Sequence, residues 1–418
     1  MPAISGFHAL TYDPAIDLTQ VVTPPYDVID ATKRATLASR HPNNFALIDL
    51  PEPGPGTDRY RAAAETLSRW RAHNVLHRDP DPVLYRYDQE FTDPEHGRTV
   101  IRRGVLAAVE LSPWIERVVR PHEATLAAPR EDRARLLAAT RVHLSPVFAA
   151  YDDPDRGSEA LLATCASTAD RVATTDDGTV HKLWRIANPE TIARWTALVR
   201  DKWLYVLDGH HRYETMVGFH GGARDGAHRS AAHGLMFLIA MTEPGLVVLP
   251  THRIVHGPAD IDRELFLTEI ARDCTVEVRP GAARGASELR AVLATADRPA
   301  FAAVFPRSSD AYLVTVHDRH TRDPLTPAVS LLHELIIPRA VAACGDAHAS
   351  TPNLQFISNT SAALDQIARG DGRLALLMSP PSLRQIQQVA DAGRVMPQKS
   401  TYFFPKLASG LVVMPIEP

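Results

Sequence analysis

The stretch YVLDGHHRYETM, residues 205–216, places four ionisable groups in five positions directly after an apolar run. Residues 205–207 are typical of the end of a buried strand, and a helical pattern begins at RYETM. Gly209 between them allows a tight turn, because it carries no Cβ. A strand, a glycine turn and a helix leave free backbone N–H groups at the helix start. We therefore predict an anion-binding turn at 208–212, with nucleotide phosphate as the expected ligand.

The side chains of this turn suit a phosphate site. Arg212 offers a planar guanidinium that can bind two oxygens of a phosphate or carboxylate. His210 and His211 can donate hydrogen bonds and titrate near neutral pH, and Asp208 could hold Mg²⁺ or orient a histidine. The structural alternative is that Asp208 and His210 cap the helix while Arg212 forms a surface ion pair. A zinc site is a further alternative, although adjacent histidines rarely bind one metal ion.

A second stretch with chemical potential is RPHEATL, residues 120–126, which places His122 beside Glu123 ahead of an arginine-rich helix. A carboxylate next to an imidazole suits general-base catalysis, since partial burial raises the pKa of an acid. Solvated charges at the start of a helix are the alternative. We take Glu123 as a candidate base and His122 as a candidate substrate-binding residue.

Two later stretches carry basic and hydroxyl side chains. LPTHRIV, residues 249–255, continues an apolar strand of 246–255 into His252 and Arg253, which should emerge at a sheet edge or be satisfied at a domain contact. MPQKSTYFFPKL, residues 396–407, contains further candidate phosphate ligands. These are Lys399, Ser400, Thr401 and Lys406. The segment lacks the GxxxxGK of a P-loop, and a surface loop is the alternative.

The segment TPPYDVID, residues 23–30, has two prolines that fix an extended approach to Tyr26 and Asp27. It could form the wall of a substrate pocket or a tight turn. We take Tyr26 and Asp27 as candidate substrate-binding residues.

The composition limits the classes of partner. The 418 residues carry a formal net charge of −4, and no basic face is visible, which argues against nucleic acid as the main partner. The three cysteines form no disulfide framework or zinc pattern. There is no signal-peptide pattern and no apolar run near the roughly 20 residues of a membrane helix. We therefore expect a cytoplasmic protein with no membrane partner, and a homodimer is a candidate assembly.

Together these stretches resemble a known family. TPPYDVI, RPHEATL, SPVF, LDGHHRYET, LPTHR and MPQKSTYFFPKL are similar, in order, to the motifs of the family called domain of unknown function 1015. RPHE followed by a strand ending in DGHHR also resembles the free-serine kinases of the ParB/sulfiredoxin superfamily. The resemblance implies an α+β fold with a mixed-sheet ParB/sulfiredoxin-like core at 111–257. An N-terminal α/β region at 1–110 and a C-terminal α/β domain at 258–418 would flank it.

The resemblance to the kinases also implies roles for individual residues. Glu123 takes the part of the base for a substrate hydroxyl, and Asp208 is the acidic partner in catalysis. His210, which we also count as catalytic, His211 and Arg212 take the phosphate roles beside Gly209. About 85 residues separate Glu123 from Asp208, a larger gap than in the compact kinases. The cysteine of the sulfiredoxin turn is absent, so peroxiredoxin repair is not expected.

The function predicted from the sequence is a nucleotide-dependent phosphotransferase acting on a hydroxyl of serine or a related small acid. Its cofactor would be ATP, ADP or CTP with Mg²⁺, and Asp208 would be the metal ligand. Lys399, Lys406 and Arg253 could close over the phosphates. One alternative is a nucleotide-binding switch or partner-binding module with little turnover. Another is a metal-dependent hydrolase using His122, His210 and His211.

Overall fold

A computed structural model of the chain describes residues 2–54, 56–125, 127–222, 232–344 and 353–416. Its strands are β1 (Ile4–Ser5), β2 (Leu10–Tyr12), β3 (Leu76–Arg78), β4 (Leu84–Thr92), β5 (Thr99–Glu110), β6 (Val119–Arg120), β7 (Val142–His143), β8 (Val147–Tyr151), β9 (Arg171–Thr174), β10 (Val180–Ile186), β11 (Leu204–Asp208), β12 (His233–Ala240), β13 (Val247–Leu249), β14 (His252–Val255), β15 (Cys274–Arg279), β16 (Ala300–Val304), β17 (Ala311–Val316), β18 (Leu354–Ile357), β19 (Leu374–Met378), β20 (Tyr402–Phe404) and β21 (Met414–Pro415).

The α-helices are α1 (Leu18–Val21), α2 (Ala31–Arg40), α3 (Ala46–Asp49), α4 (Arg59–Ala72), α5 (Ala127–Thr140), α6 (Gly157–Leu162), α7 (Pro189–Val199), α8 (His210–Gly222), α9 (Arg263–Ile270), α10 (Ala286–Ala294), α11 (Ala328–Leu331), α12 (Ile337–Ala343), α13 (Thr360–Arg369) and α14 (Leu383–Asp391). A π-helical turn, Leu332–Ile336, joins α11 to α12. Among the described residues, no helix combines the length and the apolar character needed to cross a membrane.

The first sheet has nine strands in the order β6-β11-β8-β12-β5-β4-β10-β9, with β1 beside β5. It is mixed, because β11 runs parallel to β6 and β12 runs parallel to β8, whereas β11 and β8 are antiparallel. The predicted class of mixed-sheet α+β protein is therefore confirmed. β4 and β5 form a hairpin around TDPEHGR, residues 92–98, and pair from Tyr85 with Leu106 to Thr92 with Thr99.

The second sheet has six strands in the order β15-β17-β16-β19-β14-β18, and every pair in it is antiparallel. The single strand predicted over 246–255 is wrong. It is two strands, since β13 pairs with β20 and β14 enters the second sheet. Pro250 lies between them, and a proline cannot donate a ladder hydrogen bond.

The C-terminal tail returns to residues of the predicted core at 111–257, in two separate two-stranded sheets, and builds part of the site. Residues 402–404 pair with 247–249, and Met414 pairs with His143 of β7. The backbone N–H of Met396 donates to the carbonyl of His122 over 2.7 Å. Strand pairing therefore crosses the limits expected at 110/111 and 257/258, and the three-domain division stays a prediction. One apolar core contains side chains from both sheets, such as Phe148 and Phe301.

Candidate functional site

The turn DGHHR lies where β11 ends and α8 begins, as the sequence predicts. Gly209 has φ +89°, in the left-handed region that favours glycine. A Cβ there would lie 3.0 Å from three atoms of the Arg212 guanidinium. Gly209 therefore serves both the turn and the close approach of Arg212 to the backbone.

Asp208 lies between two cations. Nη2 of Arg212 donates to Oδ2 over 2.7 Å, and the Lys406 ammonium donates to Oδ1. Burial alone would raise the pKa of Asp208, but the charges of Lys406 and Arg212 outweigh it and lower the pKa to about 2. Asp208 is thus a carboxylate at any physiological pH. The fork of Arg212, expected to bind phosphate, is 8% exposed and also donates to the carbonyl of Pro146.

A buried arginine that sequence reasoning missed holds the chain around Lys406. Arg102 is fully buried, and its Nη1 donates to the carbonyl of Phe404 over 3.1 Å. It also donates from Nε to Gln89, whose amide donates to the carbonyl of Lys406 over 3.0 Å. Strand alternation could have predicted the burial of Arg102, since Arg102 lies on the same face of β5 as the buried Leu106.

Glu123 is held by the C-terminal tail. Its Oε1 accepts from the backbone N–H groups of Ser400 over 3.0 Å and Thr401 over 2.8 Å, and from the Thr401 hydroxyl over 2.8 Å. No described residue donates to Oε2, and the side chain is 15% exposed. The second oxygen is therefore available to a substrate, which suits a general base.

His122 and Glu123 share one hydroxyl hydrogen. His122 Nδ1 lies 2.7 Å from the carbonyl of Val206, so this nitrogen carries a hydrogen. Burial lowers the pKa of His122, and in the neutral ring Nε2 is an acceptor, 2.9 Å from the Thr401 hydroxyl. That hydroxyl has a single hydrogen for His122 and Glu123.

The two histidines of the turn differ in exposure. His210 is 6% exposed, and its Nε2 accepts from the backbone N–H of His122 over 3.3 Å. Burial lowers the pKa of His210 well below its usual value. His211 is only half-buried; burial lowers its pKa, against the opposing charges of Glu214, Asp27 and Glu123. His211 is therefore the histidine that a ligand can reach.

Lys399 reaches the same region from the tail. It is exposed and has φ +53°, a left-handed backbone that an L-residue adopts at a cost. The charge of Lys399 lowers the pKa of His211, in addition to the larger effect of burial. The Arg253 guanidinium holds this turn by donating to the Lys399 carbonyl over 3.1 Å. Of these two described cations, Lys399 is therefore the one that a ligand can reach.

Three residues expected to bind phosphate lie inside the protein instead. Arg253 and Ser400 are fully buried, and the Ser400 hydroxyl donates to the carbonyl of Pro397. His252 is 1% exposed and bonds to Thr360 over 3.1 Å, within the contact between the two sheets. The structure therefore corrects the phosphate roles of Arg253, Ser400 and His252, because their side chains have no open surface. They support the loop and the domain contact.

The segment 23–30 covers one side of the site. The Arg133 guanidinium stacks over the Tyr26 ring at 4.2 Å, and burial raises the pKa of Tyr26 to about 12. Asp27 is exposed, and its charge acts to raise the pKa of both His211 and Lys406. Asp27 therefore faces the site, while Tyr26 packs against helix α5.

A family profile described as protein of unknown function (DUF1015) matches residues 4–334. The chain belongs to the DUF1015 family. The resemblance inferred from the motifs is thus confirmed. The matched range ends before 396–407, the tail of this DUF1015 chain that supplies Lys399, Thr401 and Lys406. No curated protein matches the chain.

Solved structures with a similar backbone include free serine kinases. A free serine kinase variant in complex with AMP is 12% identical, with TM-score 0.38, over 72% of this chain and 86% of the other. A conserved hypothetical protein from Pyrococcus furiosus is 12% identical, with TM-score 0.35, over 75% and 92%. SbnI with a C-terminal truncation, from Staphylococcus aureus, is 10% identical, with TM-score 0.36, over 74% and 87%. A likeness at these TM-scores determines neither the fold nor the activity of this DUF1015 protein.

Replacing Thr401 by valine should destabilise the protein by about 1–3 kcal/mol, because the buried Nε2 of His122 loses its partner. Thr401→Ser keeps the hydroxyl and should stay close to the wild type. Urea unfolding of both variants measures the difference. A valine variant as stable as the wild type would contradict the shared hydroxyl hydrogen.

Proposed function

We propose that the protein is a nucleotide-dependent phosphotransferase that transfers a phosphoryl group to a hydroxyl of serine or a related small acid. Phosphoryl transfer mainly requires positioning of the reactants and neutralisation of charge. The proposal assigns Glu123 as the base for the acceptor hydroxyl. It assigns His211, Lys399 and the first turn of α8 to the phosphates.

The observation that carries the proposal is the pairing of two carboxylates with different surroundings at one helix start. Asp208 is held ionised between Lys406 and Arg212. Glu123 accepts from the tail through one oxygen only. Environments that separate two carboxylates in this way are typical of sites where each acid has its own role.

Asp208 is the carboxylate that we assign to Mg²⁺. Mg²⁺ is usually bound by one or two carboxylates together with waters and substrate phosphates. Such a site does not need a larger cluster of metal ligands. The described part of the chain contains no group of three or more His, Cys, Asp or Glu residues that could hold a metal ion. Bound Mg²⁺ would neutralise phosphate charge. Each oxygen of Asp208 already accepts from a cation, so the metal would share the carboxylate with Lys406.

The geometry gives less support to a metal-dependent hydrolase. Both ring nitrogens of His122 face protein partners, the Val206 carbonyl and Thr401. His210 Nε2 accepts from a backbone N–H. The switch alternative differs from the phosphotransferase in turnover only, so the two are separated by measuring transfer as well as binding.

Nucleotide with Mg²⁺ should raise the unfolding temperature of the purified protein. At a hundred times its dissociation constant, a ligand stabilises the native state by about 2.7 kcal/mol. ATP, ADP and CTP are compared, each with and without L-serine. His211→Ala and Lys399→Gln should reduce the shift, whereas Lys182→Gln, on β10 and paired with Glu90, should not. No shift with any nucleotide would overturn both the phosphotransferase and the switch.

A further inference from the structure

A cleft of about 310 Å³ has Lys406 in its lining. Its walls are the arm around Pro24 and Val28, the tail at Tyr402 and Phe404, and the β9–β10 hairpin with Asp177. This volume lies at the lower end of the range for small-molecule pockets. Because Lys406 bonds to Asp208, the cleft adjoins the site described above.

The charges in this cleft balance, so it does not suit a polyphosphate. Lys33 and Lys406 line it together with Asp176 and Asp177. Asp176 is already paired with Arg40 over 2.7 Å, and Lys406 with Asp208. Lys399, an exposed cation, lies close to His211 and is not part of this lining. A neutral group with an aromatic face matches the rings and the apolar walls better than an anion does.

One carboxylate in the cleft, that of Asp177, is held through one oxygen, and no described residue donates to its other oxygen. The Thr175 hydroxyl donates to Oδ1 of Asp177 over 2.7 Å, and the Thr179 N–H donates to it over 3.1 Å. No described residue donates to Oδ2. The buried His181 supports Thr175 over 2.9 Å and is itself held by the Tyr87 hydroxyl over 2.7 Å. The carboxylate of Asp177, on the exposed turn between β9 and β10, is therefore oriented through Oδ1, with Oδ2 able to accept hydrogen bonds from hydroxyls.

We propose that this cleft holds the nucleoside half of the nucleotide, with the base against Tyr402 and Phe404 and the ribose hydroxyls on Asp177. The phosphates then extend past Lys406 and Asp208 towards His211. The inference rests on the proposed function and adds a preference for ribonucleotides to it. The acceptor hydroxyl would then bind on the Glu123 side, next to its general base.

Isothermal titration tests the assignment with whichever of ATP, ADP and CTP binds most tightly, and with the 2′,3′-dideoxy form of the same nucleotide. The wild type should bind the dideoxy form roughly ten-fold more weakly, because it loses hydrogen bonds to a charged acceptor. Asp177→Asn should bind the two forms within about two-fold of each other. Asp155→Asn, an exposed aspartate on another loop, should behave as the wild type.

Variants of Tyr402 test the position of the nucleobase independently. Tyr402→Leu should weaken nucleotide binding roughly ten-fold, whereas Tyr402→Phe keeps the ring and should bind as the wild type. Unchanged binding in both Asp177→Asn and Tyr402→Leu, with binding still weakened by His211→Ala, overturns the nucleoside assignment and leaves the proposed function standing. Loss of L-serine binding in Asp177→Asn, with nucleotide binding intact, would instead assign the cleft to the acceptor and overturn the inference.

Discussion

Glu123→Gln should lower the rate of phosphoryl transfer by about 10²–10⁴-fold, because it removes the base for the acceptor hydroxyl. Glutamine keeps an oxygen that can accept from the N–H groups of Ser400 and Thr401. The tail should therefore stay in place, and the dissociation constant of the nucleotide should change by less than about two-fold. Transfer is measured from the γ- or β-phosphate of the nucleotide to L-serine.

A matched control is Glu159→Gln, since Glu159 is 71% exposed and pairs with Arg156 on the surface. It should leave transfer unchanged. If Glu123→Gln transfers as fast as the wild type, Glu123 is not the base. If it loses nucleotide binding as well, Glu123 acts by holding the tail, and its role is structural.

Asp208→Asn should lower the free energy of unfolding by about 3–5 kcal/mol, because it leaves two largely buried cations without a counter-charge. The side chains of Lys406 and Arg212 are 12% and 8% exposed. The same change should abolish transfer, since the site loses its ionised carboxylate. Urea unfolding measures the first effect, with the exposed Asp155→Asn as control, expected within about 0.5 kcal/mol of the wild type.

The pH dependence of stability tests whether the negative charge of Asp208 is the cause of this stabilisation. The pKa of Asp208 is lowered to about 2 when folded, below its unfolded value of about 4, so its contribution is full above about pH 4. The contribution is lost as the pH falls from about 4 towards 2. The stability difference between wild type and Asp208→Asn should shrink over that range. A difference that is constant with pH would contradict the charge account.

Local sequence was enough to predict the centre of the site. The apolar run before Asp208, the glycine and the helical pattern after it are all within twelve residues, and the strand, turn and helix occur where they are expected. The arrangement needs no long-range information, because a strand and a helix have different hydrophobic periods. Predicting the exposure of each side chain does require long-range information. Arg212 and His211 are adjacent in sequence, yet only His211 is accessible.

The remaining parts depend on contacts that are distant along the chain. Glu123 meets Ser400 and Thr401 across more than 270 positions. No local pattern indicates which part of the tail returns to it. Arg253 and His252 follow an apolar strand, which suggested an exposed edge. The break at Pro250 sends them instead into the second sheet, where burial excludes a ligand.

The most direct test of the central claim is a ³¹P NMR time course of the purified protein with Mg²⁺, nucleotide and L-serine. The account predicts a phosphomonoester signal that grows as the terminal phosphate of the nucleotide declines, and that is absent with Glu123→Gln. Nucleotide that binds, but stays intact or releases only inorganic phosphate in the presence of L-serine and related hydroxy acids, would contradict the claim that this protein is a phosphotransferase.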